Sequence, residues 1–313
     1  MARFVTVGVA QLGPIARSET RRSVVERLLA LMRQARAMRA DLIVYPELAL
    51  TTFFPRWVLT DEREIDSFFE TEMPGPETKP LFDEARALGI GFHLGYAELA
   101  LEDGRRRRFN TSILVGKDGA IIGKYRKIHL PGSAEALAGR KGQHLEKHYF
   151  EVGDLGFRVW RAFGGLFGLC ICNDRRWPET YRVMGLQGVE LVVLGYNTPS
   201  RNAREEAQAL QKPLFHNRLS VQAGAYQNST FVAAVAKAGS EDGHHMIGGS
   251  LIVDPQGEIL AEAATEEDEL IVQSLDLDAT LYGKSTIFDF ARHRRIEHYG
   301  LIATRTGAVP PPE

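Results

Sequence analysis

Short apolar runs of strand length alternate with amphipathic runs of helical length along most of the chain. Residues 4–10 and 41–45 are rich in valine and aromatic residues, which favour strands, whereas residues 19–39 place apolar side chains at helical spacing. Strands that alternate with helices are typical of α/β proteins. No segment resembles a flexible linker, so we expect residues 1–313 to form one domain, with an irregular tail from about residue 283.

One pattern occurs twice in the chain. Residues 112–115 form an apolar strand-like run that is followed by a turn with Gly119, and residues 250–253 are followed in the same way by Gly257. Glycine at such a position permits the positive φ that a tight hairpin turn needs. Either two unrelated hairpins resemble each other, or the fold has two halves related by a pseudo-two-fold axis.

Composition excludes several classes of protein. The net charge of −2 gives no general attraction to nucleic acid or to a membrane surface. No apolar stretch approaches the roughly 18 residues that span a bilayer. The two cysteines, Cys170 and Cys172, are too close in sequence to staple distant parts of a fold. A reducing, cytoplasmic setting fits best. We expect the basic run 105–108 to be a solvated hairpin turn or a subunit contact rather than a nucleic-acid site.

Three chemically complementary residues each follow a predicted strand. Glu47 comes after the run 41–45, Lys127 after an apolar run that begins at Ile121, and Cys172 after another that ends at Ile171. Because the pocket of an α/β protein lies beyond the strand ends, these side chains are expected to converge. A thiolate can attack carbon, a carboxylate can accept the thiol proton, and an ammonium can stabilise an oxyanion.

The surroundings of Cys172 are expected to acidify its thiol. A helix start follows the cysteine, with Pro178 near its first turn, and Arg175 and Arg176 come directly behind it. A helix N-terminus and nearby positive charges both favour a thiolate. Cys170 should share the strand face of Cys172 but lie deeper, as part of the core.

The segments around these residues resemble the three signatures of the nitrilase superfamily of carbon–nitrogen hydrolases. They are Pro46-Glu47-Leu48, the run from Lys124 to Leu130, and the run from Cys172 to Glu179. Within the superfamily the chain is most similar to N-carbamoyl-D-amino acid hydrolases. The stretches that contain this similarity are residues 46–57, 144–147, 172–179 and 195–199.

The resemblance implies a four-layer α-β-β-α sandwich whose subunits pair sheet to sheet into dimers, often assembled further into tetramers. It implies hydrolysis of an N-carbamoyl-D-amino acid, a small carboxylate-bearing substrate, to the D-amino acid, ammonia and carbon dioxide. No cofactor and no metal are expected.

The resemblance also assigns roles by position. Cys172 corresponds to the nucleophile, Glu47 to the general base, Lys127 to the oxyanion stabiliser, and Glu146 to a second glutamate that orients the ureido group or a water. Arg175 and Arg176 correspond to the residues that hold the substrate carboxylate, and a planar guanidinium suits that task because it can donate two parallel hydrogen bonds. Further pocket positions correspond to His129, His144, Asn173, Asn197 and Thr198.

Two segments depart from the carbamoylase pattern. Residues 132–143 lack its aromatic and histidine-rich character, and in residues 199–219 Asn217 stands where a histidine is expected. The side-chain preference therefore stays open. The same triad could act on another carboxylate-bearing carbamoyl or amide substrate, such as N-carbamoyl-β-alanine, or the chain could be a catalytically silent binding member of the fold. A metal site at His144 and His148 is disfavoured because no third ligand is evident.

Overall fold

The computed structural model describes residues 2–139, 143–200 and 211–312. In these residues the strands form a seven-stranded mixed sheet, a six-stranded mixed sheet and a small two-stranded hairpin. The strands are β1 (Phe4–Gln11), β2 (Leu42–Val44), β3 (Phe69–Glu70), β4 (Gly91–Glu102), β5 (Arg105–Val115), β6 (Ile121–Arg126), β7 (Val159–Ala162), β8 (Gly165–Ile171), β9 (Leu191–Tyr196), β10 (Phe231–Ala236), β11 (Ala238–Glu241), β12 (His244–Ile247), β13 (Leu251–Val253), β14 (Ile259–Glu262) and β15 (Glu269–Asp276).

The two large sheets repeat one arrangement of strand directions. The first has the order β15-β1-β2-β4-β5-β6, with β3 added beside β4, and the second has the order β7-β8-β9-β10-β13-β14. In both sheets the successive pairs are antiparallel, parallel, parallel, antiparallel and antiparallel. The repeated hairpins of the sequence, β5–β6 and β13–β14, occupy equivalent places. The pseudo-two-fold interpretation is therefore confirmed.

Helices cover the outer faces of both sheets. Their bounds are α1 (Arg21–Ala37), α2 (Glu62–Asp66), α3 (Lys79–Leu88), α4 (Glu146–Tyr149), α5 (Pro178–Gly185), α6 (Gln211–Asn228), α7 (Thr280–Ser285), α8 (Phe290–His293) and α9 (Gly300–Thr304). Apolar residues of α1 and α3 pack on the first sheet, and those of α5 and α6 pack with the second. The expected four-layer α-β-β-α sandwich is the observed fold.

The core explains why the central strands read as unbroken apolar runs. In β2, Leu42 and Val44 pack between the two sheets, while Ile43 packs under α1. Both faces of β2, β9 and β10 are covered, so every residue of these strands is buried. Parallel strands that are covered on both faces show no apolar-polar alternation. Polar residues are consequently expected at the strand ends, where the layers open.

Two details differ from the sequence expectations. The basic run Arg105–Arg108 is not a turn but the start of β5, because the turn itself is Asp103-Gly104, with positive φ at both positions. Acidic side chains neutralise this run: Arg107 pairs with Glu151 at 2.9 Å and with Asp154 at 2.8 Å. The tail beyond residue 283 contains the short helices α8 and α9. Within the described residues, no helix is long and apolar enough to cross a membrane.

Candidate active site

The structure brings together the three residues that follow strand ends. Glu47 lies in the turn after β2, Lys127 directly after β6, and Cys172 directly after β8 of the opposite sheet. The Nζ atom of Lys127 lies 2.6 Å from Oε1 of Glu47 and 2.5 Å from Oε2 of Glu146. One carboxylate oxygen each of Glu47 and Glu146 and the Sγ atom of Cys172 all lie within 4.8 Å of one another. A nucleophile, a base and a cation therefore share one buried cluster.

Two glycines let the turn with Glu47 enter the space between the sheets. A Cβ atom on Gly195 of β9 would lie 2.3 Å from the backbone nitrogen of Glu47. A Cβ atom on Gly95 of β4 would lie 2.6 Å from the carbonyl oxygen of Pro46. Real Cβ atoms do not approach backbone atoms so closely, so both positions require glycine for steric room. The Glu47 side chain reaches the cluster because these strands have no side chains there.

Hydrogen bonds fix the Glu47 carboxylate on both oxygens. Oε1 accepts from Nζ of Lys127 and, at 2.8 Å, from Nδ2 of Asn110. Oε2 accepts from the backbone N–H of Asn197 at 2.8 Å. Asn110 lies in β5 and also donates to Oε2 of Glu146 at 3.4 Å, so it spans the two carboxylates. Such a network holds a catalytic carboxylate in one orientation without help from substrate.

Lys127 retains hydrogen-bonding capacity after its two ion pairs. Its ammonium has three N–H donors, and the contacts with Glu47 and Glu146 use two of them. Burial alone would lower the pKa of Lys127, but the neighbouring acidic groups Cys172, Glu146 and Glu47 reverse this effect and raise it above the ordinary value. The lysine is therefore a permanent cation with one donor for an incoming oxyanion.

Cys172 directly follows β8 and has a strained backbone conformation. Its φ of 47° lies in the left-handed region, which residues with a Cβ atom adopt rarely and which costs free energy. A 3₁₀ helix, Cys172–Arg176, follows and leads into α5. The Sγ atom lies 3.6 Å from the carbonyl oxygen of Asn197. Cys170 is fully buried in the core, as expected.

The electrostatics of Cys172 differ from the sequence expectation. Burial raises the pKa of its thiol, the negative charge of Glu47 raises it further, and Lys127 and Arg175 only partly oppose these effects. A resting thiol rather than a thiolate follows. The expectation failed because it considered the positive charges behind the cysteine but not the depth of the site. Such a nucleophile needs a base beside it.

The two carboxylates of the cluster have opposite pKa shifts. Burial raises the pKa of Glu47, and the negative charge of Glu146 raises it too, although Lys127 opposes both effects. Burial also disfavours the charge of Glu146, but Lys127 and the hydrogen bond from His144 outweigh it and lower the pKa of Glu146. When the environment shifts the pKa values of two neighbouring carboxyl groups apart in this way, the two groups commonly have different roles in proton transfer. Glu47 is the more basic of the two.

Glu146 begins α4 and is oriented by His144. Nε2 of His144 lies 3.1 Å from Oε1 of Glu146, and the His144 ring meets Phe53 edge to face. Nδ1 of His148 instead contacts the carbonyl of Ala134. Glu47, Glu146 and Cys172 offer atoms that could ligate a metal, but the ammonium of Lys127 already bonds both carboxylates. A buried ammonium in that place disfavours a second cation.

Asp174 joins the segment of Lys127 to that of Cys172. Its carboxylate accepts from the backbone N–H of Ile171 at 3.0 Å and from the backbone N–H and Nδ1 of His129 at 2.9 and 2.8 Å. The hydroxyl of Tyr125 donates to it at 2.7 Å. His129 is thereby fixed in place, and its ring stacks on Trp177 with centroids 4.9 Å apart.

Asn110 and Asp174 were not among the residues singled out in the sequence. Asn110 is followed by Thr111 and Ser112 within a strand that is buried along this part, so the polar run inside the strand was the available signal. Asp174 lies between the cysteine and the arginines in the sequence. Its role depends on hydrogen-bond donors that only the folded structure brings to it, so the sequence alone did not reveal it.

Arg175 is buried beneath the cysteine and is bound by the protein itself. Its guanidinium donates to the carbonyl of Cys172 at 2.6 Å, to Oδ1 of Asn217 at 2.8 Å and to Oγ1 of Thr198 at 2.9 Å. The guanidinium also lies over the ring of Tyr196, 4.3 Å from its centroid. Asn217, which stands where a histidine was expected, thus orients Arg175.

Arg176 is exposed beside the cluster. Its Nη1 donates to Oδ1 of Asn173 at 3.1 Å, and Nδ2 of Asn173 donates to the carbonyl of His129. In the part of the chain that the structure describes, neither Arg175 nor Arg176 forms an ion pair, and the charge of Arg175 lowers the pKa of Arg176 to about 10. The two guanidinium groups therefore add positive charge beside the cysteine without a salt-bridge partner of their own among these residues, although Glu47 and Glu146 offset part of it. The divergent segments 132–143 and 199–219 lie partly outside the described residues, at 140–142 and 201–210.

A family model described as carbon-nitrogen hydrolase matches residues 6–281, which include both sheets, apart from the first two residues of β1, and the whole cluster. The chain belongs to the carbon-nitrogen hydrolase family. Its membership agrees with the nitrilase-superfamily resemblance of the three signature segments. Hydrolysis of a carbon–nitrogen bond is the reaction class of this family member.

Comparison with individual proteins gives the same family along nearly the full length. The chain is 30% identical to a nitrilase of Pyrococcus abyssi, over 95% of this chain and 99% of the relative. It is 28% identical to an N-carbamoylputrescine amidase of Solanum lycopersicum, over 98% of both chains. A carbon-nitrogen hydrolase structure from Helicobacter pylori superposes with a TM-score of 0.81 at 24% identity, over 96% of this chain and 99% of the other, which establishes the shared fold.

Proposed function

We propose that the protein hydrolyses N-carbamoyl-D-amino acids to the D-amino acid, ammonia and carbon dioxide. The single observation that supports a covalent cysteine mechanism is the buried cluster in which the ammonium of Lys127 forms ion pairs with two carboxylates beside the thiol of Cys172. Arg175 and Arg176 form no salt bridge among the described residues, and their positive charges support a substrate with a carboxylate. The tomato relative, named for a carbamoyl substrate, supports the carbamoyl group.

Glu47 is the base that the thiol requires. It accepts the proton of Cys172 as the sulfur attacks the carbamoyl carbon, and the carbonyl oxygen becomes an oxyanion beside Lys127. The free N–H of Lys127 stabilises that charge, and one such donor is worth roughly 3–4 kcal/mol in related sites. The raised pKa of Glu47 suits a base, because a carboxylate of higher pKa binds the proton more strongly.

The tetrahedral adduct collapses when one carbamoyl nitrogen leaves with the proton from Glu47. The carbonyl carbon remains bound to sulfur and to the other nitrogen as an S-carbamoyl thioester. Glu47 then takes a proton from water, and the resulting hydroxide attacks the carbonyl carbon. The carbon–sulfur bond breaks as Glu47 returns the proton to sulfur, which regenerates the thiol. The carbamate that results loses carbon dioxide, so one substrate and one water give one amino acid, one ammonia and one carbon dioxide. Glu146 orients the leaving nitrogen or the water.

We assign the substrate carboxylate to Arg176; its exposure and its single hydrogen bond, to Asn173, among the described residues support this assignment. Arg175 contributes its charge from below, while its fixed hydrogen bonds hold the cysteine carbonyl. A cationic substrate, such as the one in the tomato relative's name, would be repelled by this pair. The D configuration rests on the resemblance of residues 46–57 and 195–199 to carbamoylases.

Ammonia release from paired D- and L-N-carbamoyl amino acids of several side-chain sizes tests the proposal. N-Carbamoyl-β-alanine and a neutral amide serve as comparison substrates. The proposal expects the D compounds to be turned over fastest. Equal or faster turnover of the L compounds would contradict the stereochemical part, and preference for N-carbamoyl-β-alanine would favour the alternative carboxylate-bearing substrate. No ammonia from any compound, with a reactive thiol, would support a silent binding protein.

A further inference from the structure

Three charged side chains outside the catalytic cluster are buried together. Arg56 is 3% exposed, and Lys237 and Glu241 are fully buried. Nη2 of Arg56 lies 2.5 Å from Oε1 of Glu241, and Nζ of Lys237 lies 3.3 Å from its Oε2. Lys237 directly follows β10, and Glu241 ends β11. The proposed reaction uses none of these three groups, although burying ions is costly unless they are well paired.

Glu241 is also hydrogen-bonded to the loop that follows the base. The backbone N–H of Phe53 donates to its Oε1 at 2.6 Å, and the hydroxyl of Thr52 donates to the same oxygen at 3.0 Å. Lys237 donates to the carbonyl of Thr51, and Arg56 donates to the carbonyl of Phe53 at 2.8 Å. One carboxylate and its two cations therefore fix the backbone of residues 51–56.

That loop in turn holds the segment with His144 and Glu146. The backbone N–H of Leu145 donates to the carbonyl of Pro55 at 2.8 Å, and the Phe53 ring packs edge to face on His144 with centroids 5.6 Å apart. His144 and Leu145 directly precede Glu146, the carboxylate that bonds Lys127. A displacement of residues 51–56 would therefore move Glu146 relative to the ammonium.

The hairpin β11–β12, which contains Glu241, also forms hydrogen bonds with the Arg175 side of the active site. The backbone N–H of Ile247 donates to the carbonyl of Thr198 at 2.9 Å, and the backbone N–H of Ser200 donates to the carbonyl of His245 at 2.8 Å. Thr198 in turn accepts from Arg175 through its hydroxyl. The hairpin thus touches both the Glu146 side and the Arg175 side of the site.

We infer that Glu241 is a positioning residue, which sets the place of Glu146 through the loop 51–56 and so determines the rate of the reaction. This inference rests on the proposed function. Glu241 touches no reacting atom, and its effect is transmitted by backbone hydrogen bonds. Misplacement of a catalytic group by about 1 Å can cost about 100-fold in rate.

Glu241→Gln tests the inference because it keeps the shape and removes the charge. In the Oε2 position the new amide nitrogen would face two donors, the ammonium of Lys237 and the backbone N–H of Ile15. In the Oε1 position it would face the guanidinium of Arg56, and of the groups there only the Thr52 hydroxyl could accept from it. Glu190→Gln is the matched control: Glu190 is a buried carboxylate that pairs with Arg3 at 2.6 Å, but it lies before β9, at the opposite end of the strands from the site. Two readouts are compared, ammonia release and hydrogen exchange of residues 51–57 and 143–149.

In Glu241→Gln we expect kcat to fall about 100-fold with little change in KM. Exchange should quicken in both segments, and iodoacetamide should still alkylate Cys172. In Glu190→Gln both readouts should stay at the wild-type value. Unchanged exchange in Glu241→Gln, or faster exchange with wild-type kcat, would overturn the inference. If the wild type releases no ammonia, the proposed function fails, and the exchange measurement alone decides whether Glu241 positions the two segments.

Arg56→Lys gives a second test if Glu241→Gln does not fold. Lysine keeps the positive charge beside Glu241 but loses the forked donors that reach Phe53 and Glu241 together. Faster exchange in residues 51–57 with a lowered kcat would support the inference, and wild-type exchange and kcat would overturn it.

Discussion

Asn197 and Glu47 hold each other through two hydrogen bonds that cross between the sheets. The backbone N–H of Asn197 donates to Oε2 of Glu47 at 2.8 Å, and Nδ2 of Asn197 donates to the backbone carbonyl of Glu47 at 2.8 Å. The resemblance assigns Asn197 to substrate binding. The geometry gives it a further task, since it fixes both the backbone and the carboxylate of the base.

Asn197→Leu should therefore affect turnover more than substrate affinity. Leucine keeps the branched shape of the side chain but loses the bond to the Glu47 carbonyl, so the base is expected to move away from the thiol. We expect kcat to fall about 10–100-fold, with KM nearly constant, in steady-state assays of ammonia release. A raised KM with unchanged kcat would instead indicate direct contact with substrate.

Lys127→Met should remove the oxyanion donor while it keeps a similar length of side chain. Loss of one preorganised donor typically costs about 100- to 1000-fold in kcat. The change also leaves Glu47 and Glu146 buried without their shared cation, so circular dichroism and a melting curve must accompany the kinetics. A folded variant with wild-type kcat would contradict the role of the lysine.

Arg176→Ala should discriminate between acidic and neutral substrates. A hydrogen bond to a charged group is worth about 1.5–3 kcal/mol, so KM for an N-carbamoyl amino acid should rise about 10-fold or more. KM for a neutral amide should change little. The comparison of the two substrates measures the carboxylate contact directly, and equal effects on both would show that Arg176 does not bind the carboxylate.

The Cys172 thiol should react with iodoacetamide as a weak acid. Its pKa is raised, so at neutral pH its thiolate fraction lies below that of an ordinary cysteine, and the alkylation rate should climb with pH through an inflection above the ordinary value of 9.0. Alkylation reactions that are quenched at timed intervals and analysed by mass spectrometry give the alkylation rate at each pH. An inflection below neutrality would show a preformed thiolate.

Gly195→Ala should disturb the base without removing any polar group. The added methyl would lie 2.3 Å from the nitrogen of Glu47, and overpacking of this kind costs about 1–3 kcal/mol. A lower melting temperature and lost turnover are expected. Gly300→Ala is the control, because no atom lies within 4 Å of the corresponding Cβ position. Equal behaviour of the two variants would refute the steric explanation.

The sequence was most informative where a polar residue follows an apolar strand. Glu47, Lys127 and Cys172 could be found because a strand end is visible in one dimension and its position in the sheet follows from the fold class. The repeated hairpin likewise predicted the two equivalent sheets. Asn110 could not be assigned in the same way, because its partners come from other strands.

The depth at which a side chain is buried was the property hardest to predict from the sequence. The thiol of Cys172 was expected to be acidic because Arg175 and Arg176 are adjacent in sequence, yet desolvation has the larger effect. Glu241 was likewise not assigned a role, because the sequence Glu241-Asp242-Gly243 is typical of solvent-exposed loops. The basic run Arg105–Arg108 was placed in a turn, whereas its charges project from a strand toward acidic neighbours.

The most direct test measures ammonia from an N-carbamoyl-D-amino acid with wild-type protein and with Cys172→Ala. The account predicts steady release by the wild type and none by the variant, with both proteins showing the same circular dichroism. Release by Cys172→Ala at the wild-type rate would contradict it.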